Sequence, residues 1–178
     1  MCIRDRGWGS YVGVVRGVIN SLDAAELRGS NYRGKIWTGG TSLSTSTKDV
    51  QDLQRLYTGL QVCMSGSVSL NHCGHPVTNT NYTFSVPSPL GTFVGGGNGF
   101  TFDQGGTVTA TGWRPGGFGQ PGDSGGPVYT QDGTAHIAGI HSARIWNNRG
   151  CGCWTMIGVK MLPILAAKGA DLVHGYDN

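Results

Sequence analysis

The sequence predicts an all-β chain, a sandwich or barrel of short strands with one helix at its end. Three observations predict it. Short runs rich in Val, Ile, Thr, Tyr and Phe recur along the chain, most of them separated by Gly or Pro turns. The 32 glycines among 178 residues are dispersed between those runs and form no low-complexity tract. A good helical stretch is found only at 161–168, where the chain is closing.

The elements follow in order. Tyr11–Ile19 is β-branched and reads as a strand. Residues 21–27 would start a helix, with Ser21 as its cap. A turn cluster at 28–31 leads to a short strand at 35–38, stopped by Gly39 and Gly40. Residues 41–58 are polar, rich in Ser and Thr, and read as a long loop. Strands are then expected at 60–64, 75–78, 82–86, 100–102, 107–113, 127–130, 136–141 and 154–160. No internal repeat is visible.

The length suits one domain, or a two-barrel domain lacking a piece. Hydrophobic residues make up 38% of the chain, enough for an ordinary core, and the net charge is only +3. No Lys/Arg-rich run suggests nucleic acid, and no stretch approaches the ~18 apolar residues of a membrane span. Residues 1–6 are charged but lead into no apolar segment, so they are not a signal peptide. They are set aside as extraneous. Cys63 and Cys73 lie close together between strand-like segments and suit a hairpin disulfide, which implies an oxidising compartment. A secreted type of body without a secretion signal implies that the true N-terminus lies upstream.

Gly122-Asp123-Ser124-Gly125-Gly126-Pro127-Val128-Tyr129 carries the most chemistry. A serine hydroxyl needs a base to become a nucleophile, and the oxyanion it creates needs fixed donors. Gly122, lacking Cβ, can turn its amide toward a substrate, and Ser124 supplies a second amide with the attacking oxygen. Gly125 and Gly126 leave room for the substrate, and the strand from Pro127 holds the loop. The bare Asp-Ser-Gly-Gly would suit a surface turn. The full octapeptide, in a Cys-bearing β protein, points to a protease loop.

The octapeptide resembles the nucleophile loop of chymotrypsin-like serine proteases. Residues 62–66 with 71–74 resemble the disulfide hairpin of the streptogrisin and α-lytic protease branch. Residues 137–142 resemble its strand beside the substrate backbone. The resemblance spans about residues 20–175 and implies a double β-barrel whose first barrel is largely missing. Residues 7–29 would be its remnant, and 30–178 the second barrel with its helix. It implies a serine endopeptidase that is N-terminally truncated, without cofactor or metal, secreted, monomeric when complete, and acting on peptides or proteins. Gly122 and Ser124 would form the oxyanion hole. Phe118, Pro121, Ser142 and Ala143 would line the cleft, with Phe118 at the pocket floor. Nothing acidic stands there, so a preference for Arg or Lys is not expected.

The resemblance also implies an Asp that orients the catalytic His, in the chain order His, Asp, Ser. Asp23 in Asp-Ala-Ala-Glu-Leu matches that segment, although Glu26 stands where an apolar residue is common. No His precedes Asp23, so the base is expected upstream and this chain alone is expected to be inactive. His72-Cys73-Gly74 mimics the usual context of the His, but the hairpin explains those residues better. His141 is read as packed or cleft-lining and His174 as a frayed tail. Asp123 is expected to pair with a buried cation, Arg33 or Lys35. Cys2, Cys151 and Cys153 remain, the last two too close for an easy mutual bridge. The sequon Asn81-Tyr82-Thr83 reads as chance. The rival functions are a non-catalytic protease-like binding module and an esterase using the same serine.

Overall fold

The computed structural model describes residues 2–4, 11–28, 33–39, 44–88, 91–94, 97–109, 112–147 and 153–175. It begins with β1 (Cys2–Arg4), β2 (Tyr11–Ile19), a 3-10 turn (Asn20–Leu22) and β3 (Ala24–Arg28). Next come β4 (Lys35–Trp37), β5 (Thr47–Leu53), β6 (Gln61–Gly66), β7 (Leu70–Tyr82), β8 (Ser85–Ser88) and β9 (Gly91–Val94). The remainder is β10 (Gly99–Asp103), β11 (Gly106–Thr109), β12 (Gly112–Pro115), β13 (Pro127–Asp132), β14 (Thr134–Asn147), β15 (Cys153–Lys160) and α1 (Met161–Lys168).

Strands β13, β6, β7, β10, β15 and β14 pair in that order, and β13 pairs back onto β14, so the sheet closes into a barrel. Closure leaves these six without an open edge. Val62, Met64, Val77, Phe100, Phe102, Val128, Ala138 and Met156 fill its interior. β15 is buried along nearly its whole length because its other face is covered too. There Leu22 and Ala24 pack with Phe84, Ile157 and Val159. A further cluster of Ile36, Val50, Cys63, Tyr129, Ala135 and Ile137 lies under β4 and β5. The chain therefore forms the expected all-β barrel with a short terminal helix. That helix stops at Gly169, whose φ of 57° is the left-handed cap that glycine favours. No helix of the described residues is long and apolar enough to cross a membrane.

Several local expectations are corrected. The helix expected over 21–27 is a single 3-10 turn followed by β3, which pairs with β2 through Val18–Ala25 and Ile19–Ala24. Strand pairing overrides the local helical cue there. The loop expected over 41–58 contains β5, antiparallel to β4 and parallel to β14. Only Val50 of that strand is buried, so its composition looks like a loop. The strand expected over 107–113 is the hairpin of β11 and β12, and β9 was not anticipated. β2, read as part of a barrel that is largely missing, pairs with β1 on one side and β3 on the other. His174 is no frayed tail: its Nδ1 meets the Gln51 carbonyl at 2.5 Å and the Gly175 amide donates to Val50 O at 2.7 Å.

Candidate active site around Ser124

The Ser124 loop is sewn to β14. The Gly125 amide donates to the His141 carbonyl and the His141 amide to the Gly126 carbonyl, both at 2.8 Å. The Asp123 and Gly126 amides are satisfied inside the loop, by Gln120 O at 3.0 Å and Asp123 O at 2.9 Å. Among the described residues, the amides of Gly122 and Ser124 donate to no protein acceptor. Gly122 has φ +101°, a backbone region that disfavours any side chain, and a Cβ there would approach Val68 to 2.9 Å.

Asp123 anchors the loop from beneath. It is 1% exposed, and its carboxylate accepts from the amides of Val68 at 2.7 Å, Ser69 at 3.1 Å and Gln120 at 2.7 Å. Burial pushes its pKa up, but the amides of Gln120, Val68 and Ser69 outweigh that and hold the carboxyl below its ordinary range. The expected cation partner is corrected. Lys35 pairs with Asp49 at 2.5 Å, and Asp123 is stabilised by N–H donors instead.

Ser142 joins the other two candidate groups. Ser124 Oγ donates to the Ser142 carbonyl at 3.0 Å, and Ser142 Oγ donates to Asp23 Oδ2. Residues 119 apart in sequence thus meet beside Ser124. Asp23 is placed by its flanks: Leu22 and Ala24 are buried against the barrel, while Asp23 between them is exposed, at φ 43°. Asp is among the residues that tolerate this conformation. Phe118 is half-buried and stacks on Trp154 at 5.7 Å, Pro121 is exposed, and Ser142 and Ala143 lie on β14 beyond His141. Cys63 and Cys73 form the expected disulfide between β6 and β7, with Cα atoms 3.9 Å apart. Cys153 is also disulfide-bonded.

The sequence did not reveal how the histidines gather. His72 Nδ1 and His75 Nε2 share a hydrogen bond of 2.6 Å, His72 Nε2 meets Ser69 Oγ at 3.0 Å, and His75 Nδ1 meets the Asp103 carbonyl at 3.1 Å. In a regular strand, positions three apart face opposite ways. Gly74, at φ +84°, breaks that rule between them. Both ring nitrogens of His72 are thus engaged, by His75 and Ser69, and neither is hydrogen-bonded to Ser124. Burial, and then His75, lower the pKa of His72 to about 4. Burial also lowers His75, and takes the 3%-exposed His141 to about 4. Among the described residues, no three His, Cys, Asp or Glu are grouped as metal ligands.

No protein-family model matches the chain, and no curated protein matches it. Solved structures do. A glutamic acid specific serine protease, described as using a histidine triad in substrate binding, is 23% identical with a TM-score of 0.62. That match covers 90% of this chain and 73% of that one. The chymotrypsin of Cellulomonas bogoriensis is 26% identical with a TM-score of 0.54, over 82% of this chain and 66% of that one. A Nocardiopsis protease is 26% identical with a TM-score of 0.56, over 85% and 68%. The chain is thus similar to the bacterial chymotrypsin-like serine proteases and has their fold.

Proposed function

We propose that the chain carries the nucleophile and orienting acid of a serine endopeptidase. The observation that supports this best is the continuous path from Ser124 Oγ through Ser142 to Asp23. In this reading, Ser124 Oγ attacks the peptide carbonyl and loses its proton to an imidazole. The Gly122 and Ser124 amides receive the oxyanion. The imidazole returns the proton to the departing amine, and water then releases the acyl group from Ser124. Asp23 holds the imidazole and its charged form. One carboxylate oxygen is taken by Ser142, and the other accepts no hydrogen bond among the described residues.

The imidazole itself is supplied from sequence upstream of Asp23. His72, His75 and His141 are occupied elsewhere or buried, His174 is tied to Gln51, and His136 lies on β14 opposite Thr130 of β13 and Asp52 of β5. The parent protein is secreted, and its substrates are peptides or proteins. The two free amides favour an enzyme over a binding module, because a cleft that only binds does not need donors aimed at an oxyanion. The 178-residue chain alone is expected to hydrolyse peptides at no enzyme-like rate. Restoring the upstream reading frame should confer activity that Ser124→Ala abolishes and Asp23→Asn lowers by about 10⁴-fold. Robust turnover by the short chain, lost on Ser124→Ala, would overturn the upstream base.

A further inference from the structure

Arg144 takes no part in the path described above. Two residues beyond Ser142 on β14, it reaches the segment that leads into the Ser124 loop. Its Nη1 donates to the Gly119 carbonyl at 2.7 Å and to Gln120 Oε1 at 3.2 Å. The guanidinium carbon stands 4.2 Å from the Trp154 ring centre and 5.2 Å from that of Phe118. Aromatic faces and two neutral acceptors thus fix the cation in place.

Among the described residues no carboxylate pairs with Arg144, and the Asp123 carboxylate is filled by amides. The N–H groups on its Nε and Nη2 meet no protein acceptor among the described residues. That free edge is the kind of donor pair that receives a carboxylate through two parallel bonds. A half-buried guanidinium without a counter-charge is costly, and an arriving anion relieves the cost. His141 adds to the same wall: a Cβ on Gly119 would come within 2.5 Å of its Nε2. Burial is the main cause that keeps His141 neutral, and the charge of Arg144 adds to it. The wall of Gly119, His141 and Arg144 therefore offers positive charge and N–H donors on the segments that lead into and hydrogen-bond to the Ser124 loop.

We propose that Arg144 determines the specificity of this cleft and selects a substrate with an acidic side chain at the residue whose carbonyl meets Ser124. This rests on the reading of Ser124 as a protease nucleophile, but its test needs no turnover. Acetylated tetrapeptides ending in Glu, Gln, Ala or Lys are titrated against the 178-residue chain, with tryptophan fluorescence as the readout through Trp154. At low salt the Glu peptide should bind at least tenfold more tightly than the Gln peptide, which shares its shape and terminal carboxylate. Arg144→Gln should bring the two within twofold, and Arg144→Lys should leave an intermediate preference. Equal binding of Glu and Gln by the native chain overturns the acidic selection and leaves the cleft reading standing. Tightest binding of the Ala peptide overturns it too, and makes Arg144 a plug that admits small residues. Failure of every peptide to bind overturns the cleft reading together with it.

Discussion

At the scale of single residues, the Ser124 loop depends on backbone geometry as much as on side chains. Gly122→Ala would place a Cβ at φ +101° and 2.9 Å from Val68. A cost of about 1–3 kcal/mol is expected from the backbone strain alone. It should appear as a lower melting temperature, with a larger loss of activity in the upstream-extended enzyme. The loop is also poised against acid. His141 titrates near 4 in the folded protein against an ordinary 6.5. Between those values the unfolded chain takes up a proton that the folded chain does not, so stability falls as pH drops from about 6.5 toward 4. The shift corresponds to roughly 3–4 kcal/mol. Asp123 continues the trend. Its carboxyl is held below the ordinary range, so its contribution is full above about pH 4 and is lost as pH falls through its folded value. Melting curves at pH 7, 5.5 and 4.5 should show this decline, and His141→Asn should make it shallower between 6.5 and 4, leaving the part that His72 and His75 contribute. A decline unchanged in that variant would assign it to the His72 and His75 pair.

At the scale of elements, the hairpin of β6 and β7 shows why parts of the structure are legible and parts are not. Cys63 and Cys73 announced their bridge through short separation and flanking strand residues. The barrel strands β10 and β15 announced themselves through apolar residues because they are buried along most of their length. β5 did not, since a strand with one buried residue carries no apolar pattern. β3 hid behind a helix-start cue, because its pairing with β2 is a non-local fact. Ser124, Gly122 and Asp23 were legible as motifs. Arg144 and the histidine pair were not, because their neighbours come from distant segments and from the kink at Gly74. The disulfide also carries a prediction. It closes a loop of separation 10, for which chain-entropy bookkeeping gives about 3 kcal/mol. The double variant Cys63→Ala/Cys73→Ala should therefore melt well below the native chain. Gly105→Ala should weaken the same hairpin by another route, since its Cβ would overlap the Gly74 carbonyl oxygen and φ there is +68°. An unchanged melting temperature in the Gly105 variant would show that Gly74 and the kink beside it can shift freely.

At the scale of the whole molecule, the question is how the sheet of β1, β2 and β3 relates to the barrel. Seen as sequence, residues 7–29 are a remnant whose strand lacks partners, and a chain starting near Ser30 should behave better than the whole. The packing favours the opposite outcome. Leu22 and Ala24 are 5% and 7% exposed, and they pack with Phe84, between β7 and β8, and with Ile157 and Val159 of β15. Lys168 of α1 also meets Glu26 of β3 at 3.3 Å. Removing 1–29 would uncover these apolar residues and withdraw Asp23 from Ser142. Burial of a leucine is worth about 1.5–3 kcal/mol, and truncating it to alanine in a core costs about 2–5 kcal/mol. Leu22→Ala should lower the denaturant midpoint of the full chain, while Val18→Ala, at an exposed position of β2, should barely move it. The chain starting at Ser30 should bind more of a hydrophobic dye than the full chain and associate more readily, because Phe84 and Val159 are exposed. If it instead stays monodisperse with an unchanged midpoint, the barrel is self-sufficient. The N-terminal sheet would then serve only to carry Asp23 to its place beside Ser142.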